Sequence, residues 1–148
     1  MLNEFGNAAM PHQIIEYSAN LQDVLDIDGL VEHLHSVAAG LEPLPLAGLR
    51  TRAYSSQQYR VADSHPDNAF LAIYLRIGKG RDEATRVEVG KALFDALCEF
   101  TAAHRAEHPI ALSYEVQEID PVTRWNENNL REHLAARAAA AQNEGSTP

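Results

Sequence analysis

From residue 69 to 77 the chain alternates strictly, with Leu71, Ile73, Leu75 and Ile77 on one parity and Phe70, Ala72, Tyr74 and Arg76 on the other. A period of two marks a strand with two distinct faces, and Gly78 and Gly80 end it. Residues 110–118 repeat the rhythm, with Ile110, Leu112, Tyr114 and Val116 on one face. Between these runs the spacing predicts a helix capped by Asp82 and running to about Arg105, with Val87, Leu93, Phe94, Leu97 and Phe100 toward the core and Pro109 as its stop. The first half has the same plan. Residues 11–18 read as a short strand. Asp26 or Asp28 caps a helix whose apolar positions are Leu30, Val31, Leu34, Val37, Ala38 and Leu41, and Gly40 and Pro43 end it. Leu49 to Tyr54 form the next strand, after the turn Pro45-Leu46-Ala47-Gly48. A helix joining two strands favours parallel pairing with a right-handed crossover, so each half predicts a β-α-β unit.

The expected fold is therefore α+β: tandem β-α-β units making a four-stranded sheet backed by two helices. An Ala-rich helix from about Asn126 to Ala141 follows, and residues 145–148 are expected to be disordered. Two helices cover only one face of such a sheet. Tyr17, Phe70, Tyr74, Arg50, Arg52 and Arg76 are assigned to the other face, which oligomerisation would cover.

Composition narrows the class. A chain of 148 residues with a 45% hydrophobic share suits one domain with a real core. No apolar run approaches the length of about 18 residues that a membrane span needs. Residues 1–9 lack the basic and apolar regions of a secretory signal, and Cys98 stands alone, so a cytoplasmic protein is expected. The net charge of −9 argues against nucleic acid as a partner. That charge is unevenly placed: −7 before residue 50, +3 from Arg50 to Lys91, and −5 thereafter. A cationic middle in an acidic chain suits an anionic small molecule, although a chance surface distribution has the same appearance.

Several motifs carry little. His104-Arg105-Ala106-Glu107-His108 spells a zinc-protease string, but it sits at a helix end cut off by Pro109, where histidines complement the helix C-terminus; no metal is expected. His33 and His35 do not share a helix face. Gly78-Lys79-Gly80 lacks the spacing of a nucleotide loop. Cys98 falls inside an amphipathic helix and reads as packing.

Met10-Pro11-His12 is more informative. A Met followed by Pro at the head of the first strand has the form of an initiation site. Removal of that Met would leave Pro11 as a free secondary amine, able to accept and release a proton. Nearby arginines would lower its pKa toward neutrality, where a general base works best. The plain alternative is that Pro11 only opens a strand, where its missing N–H costs nothing.

Pro11-His12 with Ile14-Ile15-Glu16, then Pro45-Leu46-Ala47-Gly48-Leu49-Arg50-Thr51-Arg52, then Arg76-Ile77-Gly78-Lys79-Gly80-Arg81, then Ala111-Leu112-Ser113-Tyr114-Glu115, resemble in order and spacing the motifs of the 5-carboxymethyl-2-hydroxymuconate isomerase family of the tautomerase superfamily. The resemblance runs from Pro11 to about Asn129. It implies a homotrimer of tandem β-α-β subunits with an amino-terminal proline at the base of the active site. Pro11 would be the proton-shuttling base, and Arg50 and Arg81 the catalytic arginines that hold substrate carboxylates. Guanidinium forks suit that task. Arg52, on the same strand face as Arg50, is a weaker candidate. Trp125 and Asn126 to Asn129 lie where that family also carries an aromatic followed by an Asn pair, and an interface role is expected for them.

The expected reaction converts 5-carboxymethyl-2-hydroxymuconate, or a similar polycarboxylated dienol from homoprotocatechuate-type degradation, to its conjugated keto form. It needs no metal or organic cofactor, because the proton moves within one substrate. The expected segments are an extension over residues 1–10, a domain over 11–129, and a helix and tail over 130–148. Two alternatives stand beside this reading: a superfamily enzyme acting on another enol, ketoacid or unsaturated acid, and a catalytically silent binding or assembly protein in which Pro11 is blocked.

Overall fold

The computed structural model describes residues 10–145. The segments expected at residues 1–9 and 146–148 lie outside the described residues. Within them the chain runs β1 (His12–Ser18), α1 (Ile27–Ala39), β2 (Arg50–Ser56), β3 (Ala69–Gly78), α2 (Glu83–Phe100), α3 (Ala102–Glu107), β4 (Ile110–Ile119) and α4 (Leu130–Gly145), with a 3-10 turn at Leu46–Gly48. The four strands form one sheet in the order β2-β1-β3-β4. β1 pairs parallel with β2, and β3 parallel with β4, as two β-α-β units require. The units join through an antiparallel β1–β3 pairing, His12 opposite Arg76 and Ile15 opposite Ile73.

Local chemistry sets the helix starts. The Asp26 carboxylate accepts from the Gly29 N–H, and Asp82 accepts from Thr85 at 2.8 Å, each satisfying a donor that the first helical turn leaves open. A Cβ at residue 29 would collide with the Asp26 carboxylate as it is placed, so the glycine there leaves room for the cap. The expected single helix to Arg105 is broken at Thr101, whose hydroxyl donates back to the Leu97 carbonyl, and α3 follows. α4 starts later than expected, at Leu130, whose N–H is taken by the Asn128 side chain at 2.8 Å.

The core lies between α1, α2 and one sheet face. Ile15, Leu71, Ile73, Leu75 and Ile77 of the sheet and Leu30, Leu34, Leu93 and Leu97 of the helices have no exposed surface. Each such side chain stabilises the fold by about 1.5–3 kcal/mol relative to exposure. Two expectations need correction. Val87 is 61% and Phe94 37% exposed, and Val89 and Ala96 fill the core instead. Tyr17 belongs to the helix-covered face, buried beside Ile15, with its hydroxyl donating to Gln22.

Candidate active site

The topology gathers the arginines. β1 and β2 start at one end of the sheet, and β3 and β4 finish there. Pro11, Arg50, Arg76, the Gly78–Arg81 turn and the segment after Ile119 therefore meet at a single edge. The Arg50 N–H donates to the Pro11 carbonyl at 3.0 Å, extending the β1–β2 ladder one step beyond the strands. Pro11 and Met10 are both buried.

On the open face, His12 is the centre. Arg50 is opposite it on β2 and Arg76 opposite it on β3. Arg50 Nη1 lies 3.1 Å from His12 Nε2, and Arg52 Nη1 lies 3.2 Å from Nδ1. Burial, and then the charges of Arg50, Arg52, Arg124 and Arg76, push the imidazole down to about 4, so the ring is neutral at pH 7. Arg124, after β4, joins the group: burial first, then Arg50 and Arg76, lower its pKa.

Beneath this cluster, on the covered face, Gln13 is fully buried and well satisfied. Its amide donates to the Leu34 carbonyl at 3.3 Å and to Thr51 Oγ1 at 3.2 Å, and it accepts from the Tyr114 hydroxyl at 2.9 Å. One side chain thus ties β1 to α1, β2 and β4, and fixes the registers that set His12 among the arginines. Burial raises the Tyr114 pKa, keeping that hydroxyl a donor.

Arg81 is 8% exposed. Its Nε and Nη2 donate to the Pro43 carbonyl at 2.9 and 2.7 Å, and its Nη1 to the Gly78 carbonyl at 3.0 Å. The preceding Gly80 has φ of 129°, a conformation that favours glycine and turns the chain so that Arg81 points inward. Arg81 lines a cleft of about 430 Å3 with Glu42, Pro43, Pro45, Gly80, Asp82 and Thr85. The structure thus brings Arg50 and Arg52 together at His12 and joins Pro11 to Arg50 through the main chain, while Arg81 stands at the same end of the sheet and clamps the segment leading into β2.

Sequence reasoning missed His12, Arg124 and Asn128 as members of this region. Asn128 donates to the Ala47 carbonyl at 3.0 Å and lies 3.5 Å from Met10 Sδ, so it reaches the residue just before Pro11. No local signal marks His12 as their neighbour, because its place opposite Arg50 and Arg76 is set by strand register. Among the discounted motifs, His104 and His108 stack at 4.6 Å, and among the described residues no cluster of three or more His, Cys, Asp or Glu could hold a metal. Cys98 is a half-buried free thiol. No helix among the described residues is long and apolar enough to cross a membrane.

Comparison with known proteins agrees with this architecture, and the fold is tautomerase-like. The symmetric trimer of a fused 4-OT superposes with a TM-score of 0.51 at 17% identity, covering 80% of this chain and 92% of that one, a likeness of fold alone. The family model for 5-carboxymethyl-2-hydroxymuconate isomerase matches residues 11–134, and the chain belongs to that family of isomerases. It is 33% identical over 121 residues to the 5-carboxymethyl-2-hydroxymuconate Delta-isomerase of Escherichia coli, covering 82% of this chain and 96% of that protein. The structure of a 5-carboxymethyl-2-hydroxymuconate isomerase from Deinococcus radiodurans R1 superposes with a TM-score of 0.79 at 36% identity, covering 86% of this chain and 96% of the other.

Proposed function

We propose that this isomerase acts on 5-carboxymethyl-2-hydroxymuconate or a similar polycarboxylated dienol, through Pro11 as an amino-terminal base. The observation that carries the reading is the family match, which begins at Pro11. In a chain that starts at Pro11, the free secondary amine takes the proton of the substrate's 2-hydroxyl. The electron pair moves through the diene, and the ammonium returns a proton to carbon, leaving the conjugated ketone. One double bond is transposed, and no oxidant or cofactor is consumed. Arg50, with Arg52 beside it, holds carboxylate and stabilises charge on the oxygen side. Arg81 contributes both to carboxylate binding in its cleft and to the shape of the turn before β2. Where Met10 remains attached, Pro11 is a tertiary amide without a basic nitrogen, so Met10 serves as a start that must be removed.

The working form is a homotrimer in the cytoplasm, within homoprotocatechuate-type catabolism. Support for assembly comes from surface a single chain leaves open: Trp125 is 86% and Val122 80% exposed, and α4 buries no residue. The test is turnover of 5-carboxymethyl-2-hydroxymuconate in D2O by protein with a verified Pro11 terminus. Loss of dienol absorbance with deuterium gained at carbon is expected. No turnover of this dienol beside turnover of another enol or unsaturated acid would move the substrate to the alternative class.

A further inference from the structure

A neutral imidazole has one lone-pair nitrogen and one N–H, and a guanidinium only donates. His12 has a guanidinium nitrogen at each ring nitrogen, 3.1 Å from Nε2 and 3.2 Å from Nδ1. Whichever tautomer it takes, one of Arg50 and Arg52 meets an N–H rather than an acceptor. Arg76 faces the same ring from β3, and the charge of Arg124 reaches it from the segment after β4. Among the described residues, none of Arg50, Arg52 and Arg76 forms an ion pair with a carboxylate. His12's own strand face carries Glu16, four residues on, next to β2 and β3 but level with Tyr54 and Ala72 rather than with the arginines. So several like charges converge on a ring that satisfies at most one of its two guanidinium neighbours. A carboxylate satisfies such donors in pairs, because each of its oxygens accepts more than one hydrogen bond.

We propose that His12, Arg50, Arg52, Arg76 and Arg124 form an anion site that takes a carboxylate of a small polycarboxylate, with the imidazole of His12 holding the two β2 guanidiniums apart. His12, Arg76 and Arg124 thereby become specificity-determining residues that select a substrate with more than one carboxylate. The naming of the anion as a polycarboxylate rests on the isomerase reading above; the site itself does not. Its place favours a small molecule over a second copy's side chains, because Arg50 is hydrogen-bonded through its backbone to Pro11, where the reacting end of the substrate would sit. The neutral state of His12 fits the same picture: a bound carboxylate offsets the surrounding positive charge and makes protonation of the ring easier.

Calorimetry with propane-1,2,3-tricarboxylate, an unreactive probe, tests the site at pH 7 and low salt. It is run on the full chain and on protein starting at Pro11, since binding here needs no free amine. Saturable binding in both is expected, weakening with salt and falling about tenfold or more in Arg76→Gln and in Arg124→Gln, with partial recovery in Arg76→Lys. NMR titration of the His12 ring should place its protonation at higher pH with the probe bound than without it. No saturable binding, equal binding in the Gln variants, or an unmoved His12 titration would overturn the inference. Loss of assembly in those variants without loss of probe binding would also overturn it, assigning the cluster to a subunit interface. Probe binding without isomerisation by the Pro11-terminal protein would sink the proposed reaction and leave the site standing. Isomerisation without probe binding would do the reverse.

Discussion

Arg50 donates its main-chain N–H to the carbonyl of Pro11 at 3.0 Å, so the head of β2 and the residue opening β1 are held in one register. Whatever fixes the turn before β2 therefore also fixes Pro11. Arg81 holds that turn from one side through the Pro43 carbonyl, and Asn128 from the other through the Ala47 carbonyl.

Arg81→Ala should act on stability as well as on activity. It removes the charged donors that satisfy the carbonyls of Pro43 and Gly78, contacts worth about 1.5–3 kcal/mol. The urea midpoint should fall by a corresponding amount, and Arg81→Lys should recover part of the loss. An unchanged midpoint in Arg81→Ala would contradict the clamp.

Gln13 offers a core test. Gln13→Leu strands the Tyr114 hydroxyl near the core, at a cost of about 1–3 kcal/mol for an orphaned buried group, whereas Thr51 keeps its bond to His35 at 2.8 Å and the Leu34 carbonyl stays within α1. Adding Tyr114→Phe to Gln13→Leu should restore part of the stability, because it removes the stranded hydroxyl. Additive losses in denaturant unfolding would show that the two side chains are not coupled.

Acid stability should carry the mark of His12. Its folded pKa of about 4 lies below the ordinary imidazole value of 6.5, so between these values the unfolded chain binds the extra proton. The contribution is fully present above about pH 6.5 and is lost as pH falls through 4. His104 is shifted the same way, by burial and then by His108, so the comparison needs a His12→Gln variant. That variant should flatten the slope of unfolding free energy across this window. A slope identical to wild type would rule out His12 as its source.

Much of the fold was legible because the strands alternate and the helices between them are long. Leu71, Ile73, Leu75 and Ile77 left no choice of face on β3, and all four are fully buried. β1 was ambiguous. Ile14 and Ile15 are adjacent and allow either parity, and the face that won carries a buried Gln13, so Tyr17 was assigned to the wrong side. In α2, Leu93, Leu97 and Phe100 pack as expected, but Val87 and Val89 cannot share a stripe and the small Ala96 gives a weak signal, so Val89 and Ala96 take the core places expected of Val87 and Phe94. For the site, the parity of β2 put Arg50 and Arg52 on one face. Their meeting at His12 depends on strand register across 38 and 40 residues, which no local pattern encodes. Arg124 and Asn128 lie in an irregular segment with no periodicity to place them.

Assembly has a simple check. Light scattering at micromolar concentration should report a trimer, and replacing the exposed Trp125 with a charged residue should shift it toward smaller species. A wild-type monomer would contradict the proposed form.

The most direct measurement compares two preparations whose termini are verified by intact mass, one beginning at Pro11 and one retaining Met10 and the residues before it. General-base catalysis contributes about a hundredfold or more. The Pro11-terminal protein should therefore isomerise the dienol at least that much faster, with the same fold by circular dichroism. Equal rates from the two preparations would contradict the free-amine mechanism.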